Sequence, residues 1–191
     1  NVCHENIFKL IEKAKNNDIK IVYDINYRKD LWSRNESKNF NLKILKYIDI
    51  LFTNSNTFNH VFDLKSKIKF DSFYDESEET LKKILIENNI PTICMTVRNK
   101  DRIGGLIFQK SNIYKSNIYE FDHVDRVGAG DSFTGAVLYG FLKAWPMDKI
   151  ISFATAAFAI SHTKFGDVNC FNDEEIRAFM DNKSIKYDQG K

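Results

Sequence analysis

Apolar residues recur along this chain with two different spacings, and the two alternate. Near the N-terminus Ile7, Leu10, Ile11 and Ala14 follow the i, i+3, i+4, i+7 rule of an amphipathic helix. "NNDIKIVYDIN" then reads as a turn and a buried strand over residues 19–23 that closes on polar positions. Phe40, Ile44, Leu45 and Ile48 mark a second helix, followed by a short apolar run over residues 50–53 and a helix-like "SNTFNHVFDL". "DESEETLKKILIENN" predicts a helix whose first-turn carboxylates complement its macrodipole, and "PTICMTV" predicts a third strand. Strands separated by helices imply a mostly parallel sheet, because parallel neighbours need crossover connections.

Further along the pattern changes. "GGLIFQ", "NIYKSN" and "IYEFDHV" follow one another with no helix between them, which predicts hairpin strands at one sheet edge. Residues 130–143, 147–162 and 172–182 then carry helical periodicity, the last opening with Asn172 and Glu175 spaced as a capping box. The fold class expected is α/β, a mostly parallel sheet flanked by helices. With no internal repeat, low-complexity tract or linker, residues 1–191 read as part of one domain.

Composition narrows the classes. At 43% hydrophobic and 28% charged, 191 residues suit a globular domain with a sizeable core. Twenty-eight basic residues stand against 26 acidic ones, and the lysines are scattered rather than gathered in a stripe, so no nucleic acid partner is expected. No apolar run reaches the roughly 18–20 residues of a membrane span, and no basic-then-apolar leader opens the chain. A cytoplasmic protein without membrane contact is the expectation. Cys3, Cys94 and Cys170 are odd in number and lack metal spacing, so Cys94 reads as a small core residue and no disulfide is expected. The chain opens on "NVCHENIFKL", without an initiator methionine and already in helical pattern, and is expected to start mid-fold.

The candidate chemistry is concentrated in "DRVGAGDSFTG", residues 125–135, which holds three of the eight glycines just before an apolar helix. A helix N-terminus offers unpaired N–H groups and a partial positive charge, and small residues admit a phosphate close to the backbone. Gly128, Ala129 and Gly130 therefore read as an anion hole, with Asp131 placed to take a proton from a hydroxyl. An ordinary helix start with turn glycines explains a lone G-x-G equally well. Phe133 stands where a dinucleotide fingerprint needs a small residue, the Gly-Lys-Ser/Thr ending of a P-loop is missing, and Ser132 lacks the G-x-S-x-G setting of a hydrolase nucleophile. His123 and His162 have no partner at ligand spacing and read as structural histidines, while "DESEE" lacks the glycine of a calcium loop. No protein-held metal site is expected.

Three segments carry a resemblance. "DRVGAGDSFTGAVLYGFL" resembles the D-T-x-G-A-G-D-x-F signature of the ribokinase (PfkB-type) sugar kinases. "VYDINYRKDLWS" resembles the D-x-N-Y-R-x-x-L-W stretch of 2-keto-3-deoxygluconate kinases, and "SHTKFGDVN" their late K-H-T-x-x-G-D-x-N loop. The likeness spans nearly the whole chain. It implies a ribokinase-like fold and transfer of the γ-phosphoryl of ATP, with Mg2+, to the 6-hydroxyl of 2-keto-3-deoxygluconate, a small sugar acid. Such kinases are generally half as long again or more, so the resemblance makes this chain a C-terminal, nucleotide-binding portion. It would lack the N-terminal strands and lid and be inactive alone, and the full-length protein would be open to homo-oligomer formation.

Carried over residue by residue, the resemblance makes Asp131 the catalytic base and Gly128, Ala129 and Gly130 the anion hole. Asn26 and Arg28 would bind the sugar acid, with a solvated loop arginine and a turn asparagine as the plainer reading; Tyr27 and Trp32 read as packing groups. Asn54, Thr96, Arg98 and Asp125 would serve the nucleotide, although a strand-end threonine and a surface arginine explain Thr96 and Arg98 as well. Two departures stand out: Thr57 replaces the glutamate of the family's N-x-x-E motif, which leaves Mg2+ without assigned ligands, and Arg98 replaces a glycine after the threonine-containing strand. Residues 166–169 resemble a loop that holds a monovalent cation in some relatives, with no ion assigned here. The alternatives are a kinase of a neutral sugar such as fructose and a non-catalytic nucleotide- or sugar-binding regulator.

Overall fold

The computed structural model describes residues 2–64, 72–120, 124–168 and 171–181. Its contacts divide the chain into two compact units, Asn1–Met95 with Phe108–Asn112 and Thr96–Ile107 with Ile113–Lys191. His123, Asn169, Cys170 and Asn182 lie outside the described residues.

In the first unit helix α1 (Val2–Lys15) buries Ile11 and is followed by strand β1 (Val22–Asp24). The strand begins later than residue 19, where the apolar pattern puts it. Asp18 takes a left-handed φ of 54° and the Ile19 amide reaches back to the Ala14 carbonyl at 2.9 Å, so residues 16–19 terminate the helix instead. Asp49 then fixes the entry to β1, its Oδ2 accepting from the Ile21 amide and from Lys15 Nζ, both at 2.8 Å. Helix α2 (Arg34–Ile44) opens with a capping box, Ser33 Oγ accepting from the Glu36 amide at 3.2 Å and Glu36 Oε2 from the Ser33 amide at 2.9 Å. A 3-10 turn (Leu45–Tyr47) leads to β2 (Ile50–Thr53), then α3 (Ser55–Phe62) and α4 (Asp75–Glu87). The first half of β3 (Thr92–Asn99) completes the unit's ladder, β1 pairing parallel with β2, and β2 with β3 in the register Ile50 to Thr92. Leu51, Ile93, Cys94 and Met95 are wholly buried, and burial pushes the Cys94 thiol pKa up, as suits the core residue expected from sequence.

The strands follow the order β1-β2-β3-β4-β5, with β6 on β4. Strands β4 (Arg102–Gln109) and β5 (Asn112–Lys115) are joined by Lys110 and Ser111, both at positive φ (49° and 66°), as a tight two-residue hairpin requires. β6 (Tyr119–Glu120) pairs antiparallel with the start of β4. These are the edge hairpins the sequence predicts. The second unit then becomes helical: α5 (Ala129–Leu142), α6 (Met147–Ser161) and α7 (Asp173–Asp181). α6 is apolar on every side and buried from Ile150 to Ser161 except at Ser152, because α5 and α7 both pack on it. The capping box of α7 forms as expected, the Asn172 amide donating to Glu175 Oε2 at 2.8 Å and the Glu175 amide to Asn172 Oδ1 at 2.9 Å.

Candidate active site

The glycines before α5 do two opposite jobs. Gly128, the N-cap, has φ 72° and ψ −8°, a left-handed conformation cheap only for glycine. A Cβ there would overlap the carbonyl oxygen of Asp167 and stand 3.0 Å from its carbon. Glycine therefore lets the loop after α6 close directly on the turn. Gly130 is the reverse: a Cβ on it would meet nothing within 4 Å. Its lack of a side chain relieves no crowding and leaves the first helical turn bare.

A glycine N-cap also brings no side chain to accept from the helix. The amides of Gly130 and Asp131 consequently have no hydrogen-bond partner among the described residues, and the helical ladder resumes with the Ser132 amide on the Gly128 carbonyl at 2.9 Å. Ala129 differs from the outward amide expected of it. The residue is wholly buried and its amide is turned toward the Arg126 carbonyl at 3.4 Å. Asp131 is exposed in the first turn of α5, its carboxylate without a hydrogen bond or ion pair among the described residues. Unpaired amides, an open flank and an unengaged carboxylate thus share one helix start.

Asp125 holds this turn in shape. Its Oδ1 accepts from the amides of Arg126 (2.6 Å) and Val127 (3.2 Å), and its Oδ2 from that of Gly166 (3.0 Å). These bonds, the Gly166 one foremost, hold its carboxyl below the usual carboxylate range. The same loop therefore touches the turn twice, through Gly166 on Asp125 and Asp167 on Gly128.

The sequence places Arg98 beyond its strand; β3 instead continues to Asn99, and Arg98 is a strand residue, as is the half-buried Thr96. Hairpin pairing carries the polar "RN" into the ladder. Arg98 Nη2 lies 2.6 Å from Nε2 of His162, and its guanidinium carbon 5.4 Å from the centre of the Phe158 ring. A guanidinium only donates, so Nε2 accepts and the proton of the neutral imidazole sits on Nδ1, which donates to the Phe158 carbonyl at 2.6 Å. His162 is wholly buried, as a structural histidine should be, and its own carbonyl accepts from the amides of Val124 (2.9 Å) and Asp125 (3.3 Å). Its partner Arg98 lies 64 residues earlier, beyond the reach of local spacing. Burial of the guanidinium and the charge of Arg126 hold the Arg98 pKa below its ordinary value.

The remaining candidates lie in the first unit. Asn26 and Arg28 are exposed in the loop after β1, Arg28 touching only the Tyr27 carbonyl with Nη1 (3.1 Å) and lacking a carboxylate partner among the described residues. Tyr27 rests on His60 and Trp32 on Phe40, ring centres 5.3 and 5.7 Å apart, so both pack as expected. Asn54 caps α3, its Oδ1 accepting from the Thr57 amide at 2.9 Å. Among the described residues no group of three or more His, Cys, Asp or Glu side chains is arranged to hold a metal. No helix of them is long and apolar enough to cross a membrane.

Comparison with known proteins gives this geometry a context. Residues 1–175 match the family model described as pfkB family carbohydrate kinase. The 2-dehydro-3-deoxygalactonokinase of Haloferax volcanii is 25% identical over 172 residues, 90% of this chain and 50% of that protein. The crystal structure of 2-dehydro-3-deoxygluconokinase from Thermotoga maritima superposes with a TM-score of 0.82 at 28% identity, covering 93% of this chain and 55% of that one. That of Vibrio cholerae fructokinase, with fructose, ADP and calcium bound, superposes with a TM-score of 0.73 at 21% identity, covering 92% and 55%. The fold is ribokinase-like, and the chain spans about half the length of the relatives it matches.

Proposed function

We propose, from the premise that the chain belongs to the pfkB family of carbohydrate kinases, that it serves phosphorylation of the 6-hydroxyl of 2-keto-3-deoxygluconate by ATP. The observation that carries the reading is the α5 start, where the unpaired amides of Gly130 and Asp131 and the open flank of Gly130 adjoin the unengaged Asp131 carboxylate. Phosphoryl transfer asks a protein mainly for positioning and for neutralisation of charge on the moving group. The amides of Gly130 and Asp131, with Ala129 behind them, would take the phosphate oxygens, and Asp131 would accept the proton of the attacking hydroxyl. Asp125 and Gly128 hold the turn that presents them. Thr96 and Arg98 of β3 and Asn54 at the head of α3 are the further nucleotide contacts proposed. Mg2+ fits as an ion carried by the nucleotide's phosphates, since no carboxylate cluster among the described residues is arranged for it.

A sugar acid is favoured because Arg28 is exposed without a carboxylate of its own, and its fork matches one from a ligand. Asn26, two residues earlier, would take a hydroxyl or the keto oxygen. ATP consumption over a panel of sugar acids and neutral sugars tests the assignment, and a preference for fructose would overturn it. In an active preparation, Arg28→Lys is expected to weaken 2-keto-3-deoxygluconate by about 1–3 kcal/mol, because lysine restores the charge but not the bidentate geometry. ATP affinity and turnover of a neutral ketose should stay at the parent's level. Equal losses for acid and neutral sugar would remove Arg28 from the sugar site.

A further inference from the structure

We infer that His162 is a positioning residue that anchors Arg98 as one half of a two-arginine clamp, with Arg126 as the other half, on the polyphosphate of the bound nucleotide. The inference rests on the reading of the α5 start as the phosphate site. No carboxylate among the described residues holds Arg98. Its head is fixed by a neutral imidazole acceptor and lies against the Phe158 ring, and among the described residues neither Arg98 nor Arg126 has an ion-pair partner. A carboxylate anchor would cancel the guanidinium charge; an imidazole anchor fixes its position and leaves the charge for a ligand.

Arg126 belongs to the turn that the same histidine holds through its backbone carbonyl. It follows Asp125, whose amide donates to the His162 carbonyl at 3.3 Å, and precedes by two residues the left-handed Gly128 that starts α5. Its charge is close enough to lower the Arg98 pKa, second only to burial. Two guanidinium charges that oppose each other, neither of them ion-paired among the described residues, are relieved by a bridging oligophosphate, which offers each fork its oxygens. One buried residue thereby ties β3, through its side chain, to the glycine-rich turn, through its carbonyl.

The test is calorimetric titration of the chain with ATP, tripolyphosphate and adenosine. Arg98→Gln and Arg126→Gln should each weaken ATP and tripolyphosphate by about tenfold or more and leave adenosine unchanged. His162→Phe keeps a ring against Phe158 but removes the acceptor, and should lose as much ATP affinity as Arg98→Gln. The double variant should lose no more than Arg98→Gln alone, since His162 acts through Arg98. Additive losses overturn the positioning role. The imidazole 15N spectrum of the parent reads the anchor directly, even where His162→Phe fails to fold: Nδ1 should be protonated and Nε2 bare, and a proton on Nε2 overturns it. ATP bound by the parent with both glutamine variants unaffected sinks the clamp and leaves the phosphate-site reading standing. A parent that binds neither ATP nor tripolyphosphate sinks both, whatever the spectrum shows.

Discussion

In an active preparation Asp131→Asn should lower turnover by about 10²–10⁴-fold, the usual worth of a positioned base, with melting temperature and ATP affinity close to the parent's. The expectation follows from what this carboxylate does not do. It is exposed, and it has no hydrogen bond or ion pair among the described residues for asparagine to disrupt. The fold loses only the favourable interaction of a carboxylate with a helix start, about 0.3–1 kcal/mol. Asparagine keeps the shape and cannot take a proton from a sugar hydroxyl. Pre-steady-state turnover beside a thermal melt separates the two effects. A rate within a few-fold of the parent would reduce Asp131 to a first-turn charge and require another base.

The two glycines flanking Ala129 should answer the same substitution in opposite ways. Gly128→Ala is expected to destabilise the protein by at least the roughly 1–3 kcal/mol of a strained left-handed residue. Its methyl would also meet the Asp167 carbonyl, a backbone group that cannot rotate aside, so the loop must move and ATP binding should fall with the melting temperature. Gly130→Ala enters open space on a helix, where alanine is favoured over glycine by as much as about 1 kcal/mol. Stability should hold or rise. ATP affinity should nevertheless drop by about 1.5–3 kcal/mol, one charge-assisted hydrogen bond, because the methyl occupies the face through which phosphate reaches the amides. Melting curves and titrations on both variants decide the matter. If Gly130→Ala binds ATP as the parent does, the observation supporting the proposed function is lost.

Where one face or period decides an element, the sequence was sufficient. β2 is a continuous apolar run and its observed limits, Ile50–Thr53, are the expected ones; α7 announces its start through Asn172 and Glu175. The ends of β1 and β3 differ from the apolar pattern for backbone reasons that spacing does not record: a left-handed Asp18 that prolongs a helix terminus, and a hairpin that pairs polar residues. The helix start at residues 128–131 is legible as a helix N-terminus flanked by glycines, and as a phosphate site only through the resemblance carried by the longer segment. What holds it is not. Gly166 on Asp125 and His162 on Arg98 are separated by 41 and 64 residues, and such pairs come together only once β3, α6 and the turn have packed. Ala129 read as a third outward amide for the same reason, since the Arg126 carbonyl that claims it is a matter of turn geometry.

The three amides gathered on Asp125 also decide how the turn meets acid. A carboxylate whose folded pKa is depressed contributes its stabilisation above the unfolded value, about 3.9 for aspartate, and loses it only as pH falls through the lower folded value. The knot between the turn and Gly166 is thus fully tied throughout the neutral and mildly acidic range. Geometry at the head of α5 is hard-wired against proton concentration. A change of binding or turnover with pH near neutrality is then no release of this knot, and its origin has to be sought in the other groups of the site.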